Sequence, residues 1–174
     1  ELGQYRLAVN NYKKAIKINP KLLSTYSNYI YSLNFFEHFN YNEFLEVIKK
    51  FKKNIPKLKF NFNQNIKKNN LNKKINIGFV SGDFGIHPVS FFLIDLIDKI
   101  NKKKFNLFAY SNSERNDSMT NELKKKFSSW IQVNNMNDET LIKIIKKDNI
   151  DILFDLSGHT GHNRLSIFVN RAAP

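Results

Sequence analysis

The segment INIGFVSGDFGIHPVSFFLIDLIDKI, residues 75–100, changes its pattern twice and decides the fold of this chain. Its first residues, 75–80, form an apolar and β-branched run, which predicts a buried strand. Two glycines then lead to His87 and Pro88, and residues 89–100 continue with the spacing of an amphipathic helix. Because proline suits the first turn of a helix, His87 is predicted at the cap position, facing a cleft. A strand, a glycine-bearing loop and a helix in this order predict the start of a βαβ unit.

The same alternation of strands and helices continues to the end of the chain. Further strands are predicted at 105–111, 129–133 and 150–157, and helices at 118–127, 137–149 and near 164–171. The helix at 137–149 is predicted to have Asn137 or Asp138 as its cap. Strands that alternate with helices are typical of a parallel sheet, so we expect an α/β lobe with a Rossmann-like layout.

The helix that follows His87 is predicted to pack its apolar side chains against the sheet. These side chains recur at helical spacing and form one stripe, which consists of Val89, Phe92, Leu93, Leu96, Ile97 and Ile100. His87 lies before this stripe, so we do not expect its ring to support the core.

Three helices are predicted before the α/β lobe. Apolar residues recur at helical spacing within 3–20, 22–36 and 42–53. The first of these stretches, LGQYRLAVNNYKKAIKINP, resembles the second helix of a tetratricopeptide repeat, with Gly, Tyr, Ala and Pro in the expected places. The resemblance implies an α-helical, tetratricopeptide-like segment over 1–51. We expect further repeats to precede it, because about three repeats are needed for a stable stack.

Residues 52–74 carry Lys and Asn without a firm period, and we interpret them as a linker to a lobe that covers 75–174. Few apolar residues anchor this segment. The first protease-sensitive site of the folded protein is therefore expected within 52–74. Limited proteolysis with mass spectrometry checks this, and an initial cut inside 75–157 would contradict the division into domains.

The composition limits the class of protein. The net charge of +13 suggests nucleic-acid binding, but only four of the 28 basic residues are arginine, the residue that most often reads bases and phosphates. Lys, Asn, Ile and Phe share A/T-rich codons, so the composition favours mutational bias over nucleic-acid binding. The absence of cysteine excludes disulfides and thiolate metal sites. No secretory signal or membrane-spanning run is present, so we expect a cytoplasmic protein without membrane contact.

The unusual residues of the chain follow the predicted strands, where ligands bind in an open α/β sheet. The loop after the first strand contains Asp83 and His87, and the loop after the fourth strand, SGHTGHNR at 157–164, contains two further histidines. Glycines in both loops permit tight turns and close approach of a ligand. The helix that begins after His87 favours an anion at its N-terminus. These loops are therefore predicted to form one functional rim.

Three familiar kinds of site fit these loops poorly. The glycine spacing is not the G-x-G-x-x-G of a dinucleotide site. A zinc ion on His87, His159 and His162 would have no cysteine ligand and no H-E-x-x-H pattern to support it. A triad of Ser81, His87 and Asp83 would be entirely local and would lack a nucleophile elbow.

Two stretches, IGFVSGDFGIHPVSFFL and DILFDLSGHTGHNRLSIF with RAAP after it, resemble the O-linked N-acetylglucosamine transferase (SPINDLY-like) family. The similarity is to the amino-terminal half of that family's catalytic region, and the order of helices, connecting segment and lobe also matches. The resemblance implies half of a GT-B fold and a fragment of an inverting glycosyltransferase. Such an enzyme transfers N-acetylglucosamine from UDP-N-acetylglucosamine to Ser or Thr of proteins, and no metal or other cofactor is required. The implied partners are a nucleotide sugar and a protein or peptide acceptor.

The resemblance also implies roles for single residues. His87 stands at the family's HP motif, where a histidine is important for catalysis, and an imidazole can accept or donate a proton near neutral pH. The implied substrate-binding residues are Asp83, Pro88, Gly158, His159, Thr160 and Asn163. The family's second lobe supplies most contacts to the nucleotide sugar and has no counterpart in this sequence. We therefore expect the fragment alone to be inactive.

An alternative of another class is a non-catalytic protein-interaction module, built on the repeat helices and an α/β lobe. A basic nucleic-acid binder is a third hypothesis, which salt dependence of DNA binding would test. Sequence beyond Pro174 would separate the first two hypotheses. A second α/β lobe with a lysine-bearing, glycine-rich nucleotide site favours the enzyme.

Overall fold

A computed structural model describes residues 3–58 and 73–174 of the chain. Within these residues there are seven helices and four strands, numbered in chain order. The helices are α1 (Tyr5–Ile18), α2 (Leu23–Leu33), α3 (Tyr41–Asn54), α4 (Pro88–Lys99), α5 (Ser118–Lys126), α6 (Asp138–Lys147) and α7 (Leu165–Val169). The strands are β1 (Ile75–Ser81), β2 (Phe105–Ser111), β3 (Ser129–Gln132) and β4 (Ile152–Asp155). None of the helices in these two ranges is long and apolar enough to cross a membrane.

The contacts within the chain divide it into two units. The helical unit is Glu1–Lys57 with His159–Gly161, and the α/β unit is Leu58–Gly158 with His162–Pro174. Helix α3 continues to Asn54, so the first residues of the predicted linker are helical. Most of that linker, residues 59–72, lies outside the described residues.

The helical unit is held together by an apolar core and by one polar link among its helices. The buried apolar side chains are Val9, Tyr26, Tyr29, Ile30, Leu33, Val47, Phe51 and Ile55. The Tyr29 hydroxyl of α2 donates a hydrogen bond to Glu43 Oε1 of α3 at 2.5 Å. Lys13 Nζ of α1 lies 2.7 Å from the same oxygen, so one carboxylate connects all three helices. The predicted helical segment before the lobe is confirmed.

The described part of the α/β unit contains a sheet of four parallel strands in the order β3-β2-β1-β4. A helix lies in each connection between successive strands, as parallel pairing requires a crossover. From β1 the chain moves outward through β2 and β3 and then returns to the other side of β1 as β4. The predicted α/β, Rossmann-like lobe is thereby confirmed. In an open α/β sheet, a change of direction of this kind marks the ligand-binding crevice, which is therefore expected beyond the carboxyl ends of β1 and β4.

Alternate residues of β1 belong to two different apolar clusters, because successive side chains of a strand point to opposite faces. Ile77 and Phe79 pack with α4 and α5 in the first cluster. Val80 packs with α6 and α7 in the second cluster. The central strand β1 is therefore covered on both faces, which leaves its end as the place for polar function.

The apolar stripe predicted on α4 is only partly buried. Leu93 and Ile97 are buried, whereas Phe92 is 80% exposed and Leu96 is 52% exposed. Leu93 and Ile97 are one turn apart and face the first cluster, while the two exposed side chains lie to one side of them. The prediction was therefore wrong for Phe92 and Leu96. Periodicity shows which residues share a face, but the neighbouring elements decide how wide a face is covered.

Two element boundaries have a clear local cause. The N-cap of α6 is Asn137, one of the two residues predicted, and its Oδ1 accepts a hydrogen bond from Thr140 N–H at 2.9 Å. Strand β4 is shorter than the predicted range of 150–157. It ends at Asp155, because the carboxylate of this residue accepts hydrogen bonds from the next backbone N–H groups and turns the chain.

Candidate active site

The loops that follow β1 and β4 lie side by side at the point where the strand order reverses. Val80 pairs with Asp155 at the end of the β1–β4 ladder. Beyond this pair, the backbone N–H of Gly82 donates a buried hydrogen bond to Ser157 Oγ at 3.0 Å. The two loops that the sequence predicts to form one rim are therefore joined directly at the crevice.

His87 is the N-cap residue of α4, as predicted. Its backbone is extended, and its Nδ1 accepts a hydrogen bond from Val89 N–H at 3.3 Å. A neutral imidazole with an accepting Nδ1 carries its hydrogen on Nε2. The cap bond therefore selects one tautomer and makes Nε2–H the donor that the ring presents. The side chain is 35% exposed, so a ligand can reach it.

A carboxylate lies near the His87 ring, and a guanidinium lies near the same carboxylate oxygen. Asp83 Oδ1 is 3.8 Å from His87 Nε2 and 3.9 Å from Arg115 Nη1. These separations exceed hydrogen-bond length but are short for charged groups. The rim beside α4 therefore presents an anion, a cation and an imidazole to a polar ligand.

Two serines fix the backbone of the loop between β1 and α4. Ser81 Oγ accepts a hydrogen bond from Asp83 N–H at 2.9 Å. Ser90 Oγ donates to the Asp83 carbonyl oxygen at 2.9 Å and accepts from Gly85 N–H at 3.2 Å. Both serines are buried, so these bonds are shielded from competing water. The Asp83 carboxylate is thereby held at a defined place on the rim.

A second set of hydrogen bonds reaches the same loop from the start of α5. Asp117 is the N-cap of α5, with Oδ1 accepting from Thr120 N–H at 2.9 Å and Oδ2 accepting from Ile86 N–H at 2.8 Å. The Thr120 hydroxyl donates to the Phe84 carbonyl oxygen at 3.0 Å. The bonds from Ile86 and then Thr120 hold the pKa of Asp117 below its ordinary value. Neither Asp117 nor Thr120 is predicted from the sequence, although Asp before a helical run is an N-cap signal.

The glycine at position 85 is explained by the close approach of the loop between β1 and α4 to the residues just before α5. An added Cβ would lie 2.8 Å from Arg115 Cδ and 2.8 Å from Asp117 Oδ2. The glycine therefore makes room for protein atoms. Gly158, by contrast, fits the predicted tight turn, since its φ of +55° lies in the left-handed region that favours glycine.

The turn after β4 is built on Asp155. Its Oδ1 accepts a hydrogen bond from Ser157 N–H at 3.1 Å, and its Oδ2 accepts from Gly158 N–H at 2.9 Å. Burial raises the pKa of Asp155, while these two hydrogen bonds act in the opposite direction. The carboxylate thus shapes the loop in which the candidate residue Gly158 lies.

Arg164 joins the loops that follow β2, β3 and β4. Its Nε donates to Asn112 Oδ1 at 3.1 Å, and its Nη1 lies 2.7 Å from Asp138 Oδ1. Its Nη2 donates to the carbonyl oxygens of Val133 at 2.7 Å and Met136 at 2.5 Å. The side chain is only 13% exposed, so it acts as an internal brace for the rim.

The contacts of His159 lie within the helical unit. Its Nδ1 is 3.1 Å from Ser27 Oγ, and its ring meets Phe51 edge-on with 5.3 Å between centroids. Burial lowers the pKa of His159, which favours the neutral ring at pH 7. Thr160 belongs to the same unit and is exposed.

The candidate residues therefore fall into two sets. Asp83, His87 and Pro88 lie together at the start of α4, and Gly158 and Asn163 lie in loops of the same α/β unit. His159 and Thr160 are grouped with the helical unit. Among the residues that the structure describes, no group of three or more His, Asp and Glu side chains is arranged to hold a metal ion.

A parallel sheet in the order β3-β2-β1-β4, with polar residues gathered where the order reverses, defines a Rossmann-like lobe of the class that binds ligands at this crevice. Residues 44–174 match Glycosyl transferase family 41, and the chain belongs to this family. The membership confirms the resemblance seen in the sequence.

Named proteins similar to the chain agree with this family. A probable UDP-N-acetylglucosamine–peptide N-acetylglucosaminyltransferase SPINDLY of Oryza sativa subsp. japonica is 26% identical over 95% of this chain and 18% of its own length. A second probable UDP-N-acetylglucosamine–peptide N-acetylglucosaminyltransferase, SEC of Arabidopsis thaliana, is 32% identical over 59% of this chain and 10% of its own length. A solved mutant of the Thermobaculum terrenum O-GlcNAc transferase has a TM-score of 0.86 and 25% identity, over 99% of this chain and 33% of that one. The chain thus spans a third or less of these proteins.

Proposed function

We propose that the chain is part of a cytoplasmic, inverting protein O-glycosyltransferase, which transfers N-acetylglucosamine from UDP-N-acetylglucosamine to Ser or Thr of proteins. The observation that carries the proposal is the placement of His87 at the switch point of a family 41 lobe. The names of the similar proteins support the donor and a peptide acceptor. No metal is needed in the proposed reaction.

In the proposed reaction, the acceptor hydroxyl oxygen forms a bond to C1 of the sugar while the bond from C1 to the diphosphate breaks. UDP leaves with the electron pair of the broken bond, and the hydroxyl proton passes to solvent water. His87 presents Nε2–H, since Nδ1 is used by Val89 N–H. In this tautomer the ring orients and polarises a substrate oxygen by donating to it, and it becomes a base only if the cap bond is given up. Asp83 and Arg115 provide polar contacts beside it.

The proposal predicts that the complete gene product incorporates labelled N-acetylglucosamine into Ser- and Thr-containing peptides, and that EDTA leaves the rate unchanged. The assay uses a panel of UDP- and GDP-linked sugars, and mass spectrometry locates the modified side chain. Transfer of a different sugar alone would contradict the proposed donor. Modification of residues other than Ser and Thr would contradict the proposed acceptor, and no transfer from any donor would favour the interaction module.

A further inference from the structure

We infer that Asp117 is a positioning residue for His87, because its carboxylate holds the loop that presents the imidazole at the rim. The inference rests on the proposed function and deepens it by naming a residue that acts on transfer without touching a substrate. All the contacts involved lie within the α/β unit.

The two oxygens of Asp117 have separate tasks. Oδ1 caps α5 by accepting from Thr120 N–H, and Oδ2 accepts from Ile86 N–H, the residue directly before His87. Capping requires only one acceptor. Asn137 caps α6 through Oδ1 alone, in the same relation to Thr140 N–H. The second oxygen of Asp117 is therefore explained by the loop and not by the helix.

The loop meets the start of α5 at three successive residues. The Phe84 carbonyl oxygen accepts from the Thr120 hydroxyl, and Gly85 leaves no room for a Cβ against Asp117 Oδ2. Ile86 N–H donates to that same oxygen. The Phe84 side chain is fully buried in the first apolar cluster, which fixes the other side of the loop. The path of the backbone into His87 is thus set by α5 as well as by α4.

This arrangement bears on chemistry because His87 acts through one nitrogen in one orientation. Its ring is fixed by the bond from Val89 N–H and by the path of the preceding backbone. A displacement of about 1 Å in a reacting group can cost about a hundredfold in rate. Loss of the Ile86–Asp117 bond lets the entrance to His87 move while the helix behind it stays in place.

The Asp117→Asn variant separates the two tasks. Asparagine is as good an N-cap as aspartate, so its single carbonyl oxygen can still accept from Thr120 N–H. Its NH2 group would then face Ile86 N–H, and the second bond would be lost. In the complete gene product we expect kcat to fall about tenfold or more, with the donor KM unchanged within about twofold. Hydrogen exchange measured by mass spectrometry should rise in the peptide that contains Ile86.

Two further variants complete the experiment. Asp95→Asn removes one exposed carboxylate from α4 and changes the net charge equally, so its kcat and exchange should match wild type. Gly85→Ala places a methyl group against both Asp117 Oδ2 and Arg115 Cδ, and it should reproduce the loss of kcat and the faster exchange at Ile86 without changing Asp117. Thermal unfolding of each variant gives the folded fraction, by which the rates are corrected.

Each outcome decides for or against the inference. A lowered kcat per folded molecule with faster exchange at Ile86 supports it. A wild-type kcat in Asp117→Asn overturns it, as does a loss that disappears after correction for the folded fraction. If the wild-type protein transfers no sugar, the proposed function fails. Hydrogen exchange then still tests whether Asp117 fixes the loop through Ile86 N–H. Unchanged protection of Ile86 in Asp117→Asn would then overturn the inference by itself.

Discussion

Replacement of His87 by asparagine is expected to reduce sugar transfer by the complete gene product about a hundredfold or more. This is the scale for loss of a hydrogen-bond donor that stabilises charge at the reacting centre. Asparagine is a preferred N-cap residue, so its carbonyl oxygen can accept from Val89 N–H in place of Nδ1. The helix should therefore keep its cap, and the temperature of unfolding should stay close to that of wild type. Initial rates and thermal unfolding are the two measurements.

Two further variants show whether the loss of activity is caused by removal of the His87 imidazole. His87→Ala removes both the imidazole and the cap, and should lose activity like asparagine while also losing about 1 kcal/mol of stability. His38→Asn changes an exposed histidine of the helical unit and should leave transfer unchanged. A His87→Asn protein with normal turnover and a lower unfolding temperature would show that the histidine is structural.

The parts of the fold that can be predicted from the sequence are those with local signals. The strand–glycine–histidine–proline–helix order predicts both β1 and the cap at His87, because the turn chemistry of these residues is short-range. The cap of α6 is predicted at Asn137 or Asp138 for the same reason, and the structure has it at Asn137. The α/β class and the parallel sheet follow from the alternation of periods along the chain, whereas the strand order is known only from the structure.

The parts of the structure that cannot be predicted from the sequence depend on segments far apart in the chain. Asp117 and Ile86 are 31 residues apart, and no local pattern pairs them. His159 stands beside Gly158 in the sequence, yet its contacts are with Ser27 and Phe51 of the helical unit. The periodicity of α4 likewise places Phe92 on an apolar face but cannot show that nothing in the first cluster covers it. Tertiary contacts, and not residue preferences, decide these positions.

The Arg164→Met variant should destabilise the α/β unit by about 2 to 3 kcal/mol, the largest stability effect that we expect from one substitution in its loops. Methionine fills similar space but donates nothing, so the carbonyl oxygens of Val133 and Met136 each lose a hydrogen bond. Asp138 also loses its cation, although its own partial exposure of 31% allows water to replace part of that interaction. Urea unfolding followed by circular dichroism measures the change in the free energy of unfolding.

The control for Arg164→Met is the loss of a basic side chain from an ion pair that is exposed to solvent. Lys143 and Glu139 form an exposed pair one turn apart on α6, with side chains 64% and 53% exposed, and Lys143→Met should cost no more than about 0.5 kcal/mol. Equal effects of the two variants would contradict the role of Arg164 as an internal brace. Because Arg164 joins the loops after three strands and His87 is held separately by α4 and α5, we expect transfer per folded molecule of Arg164→Met to fall less than that of His87→Asn. Stability and catalysis at this rim thus depend on different residues, which the two variants distinguish.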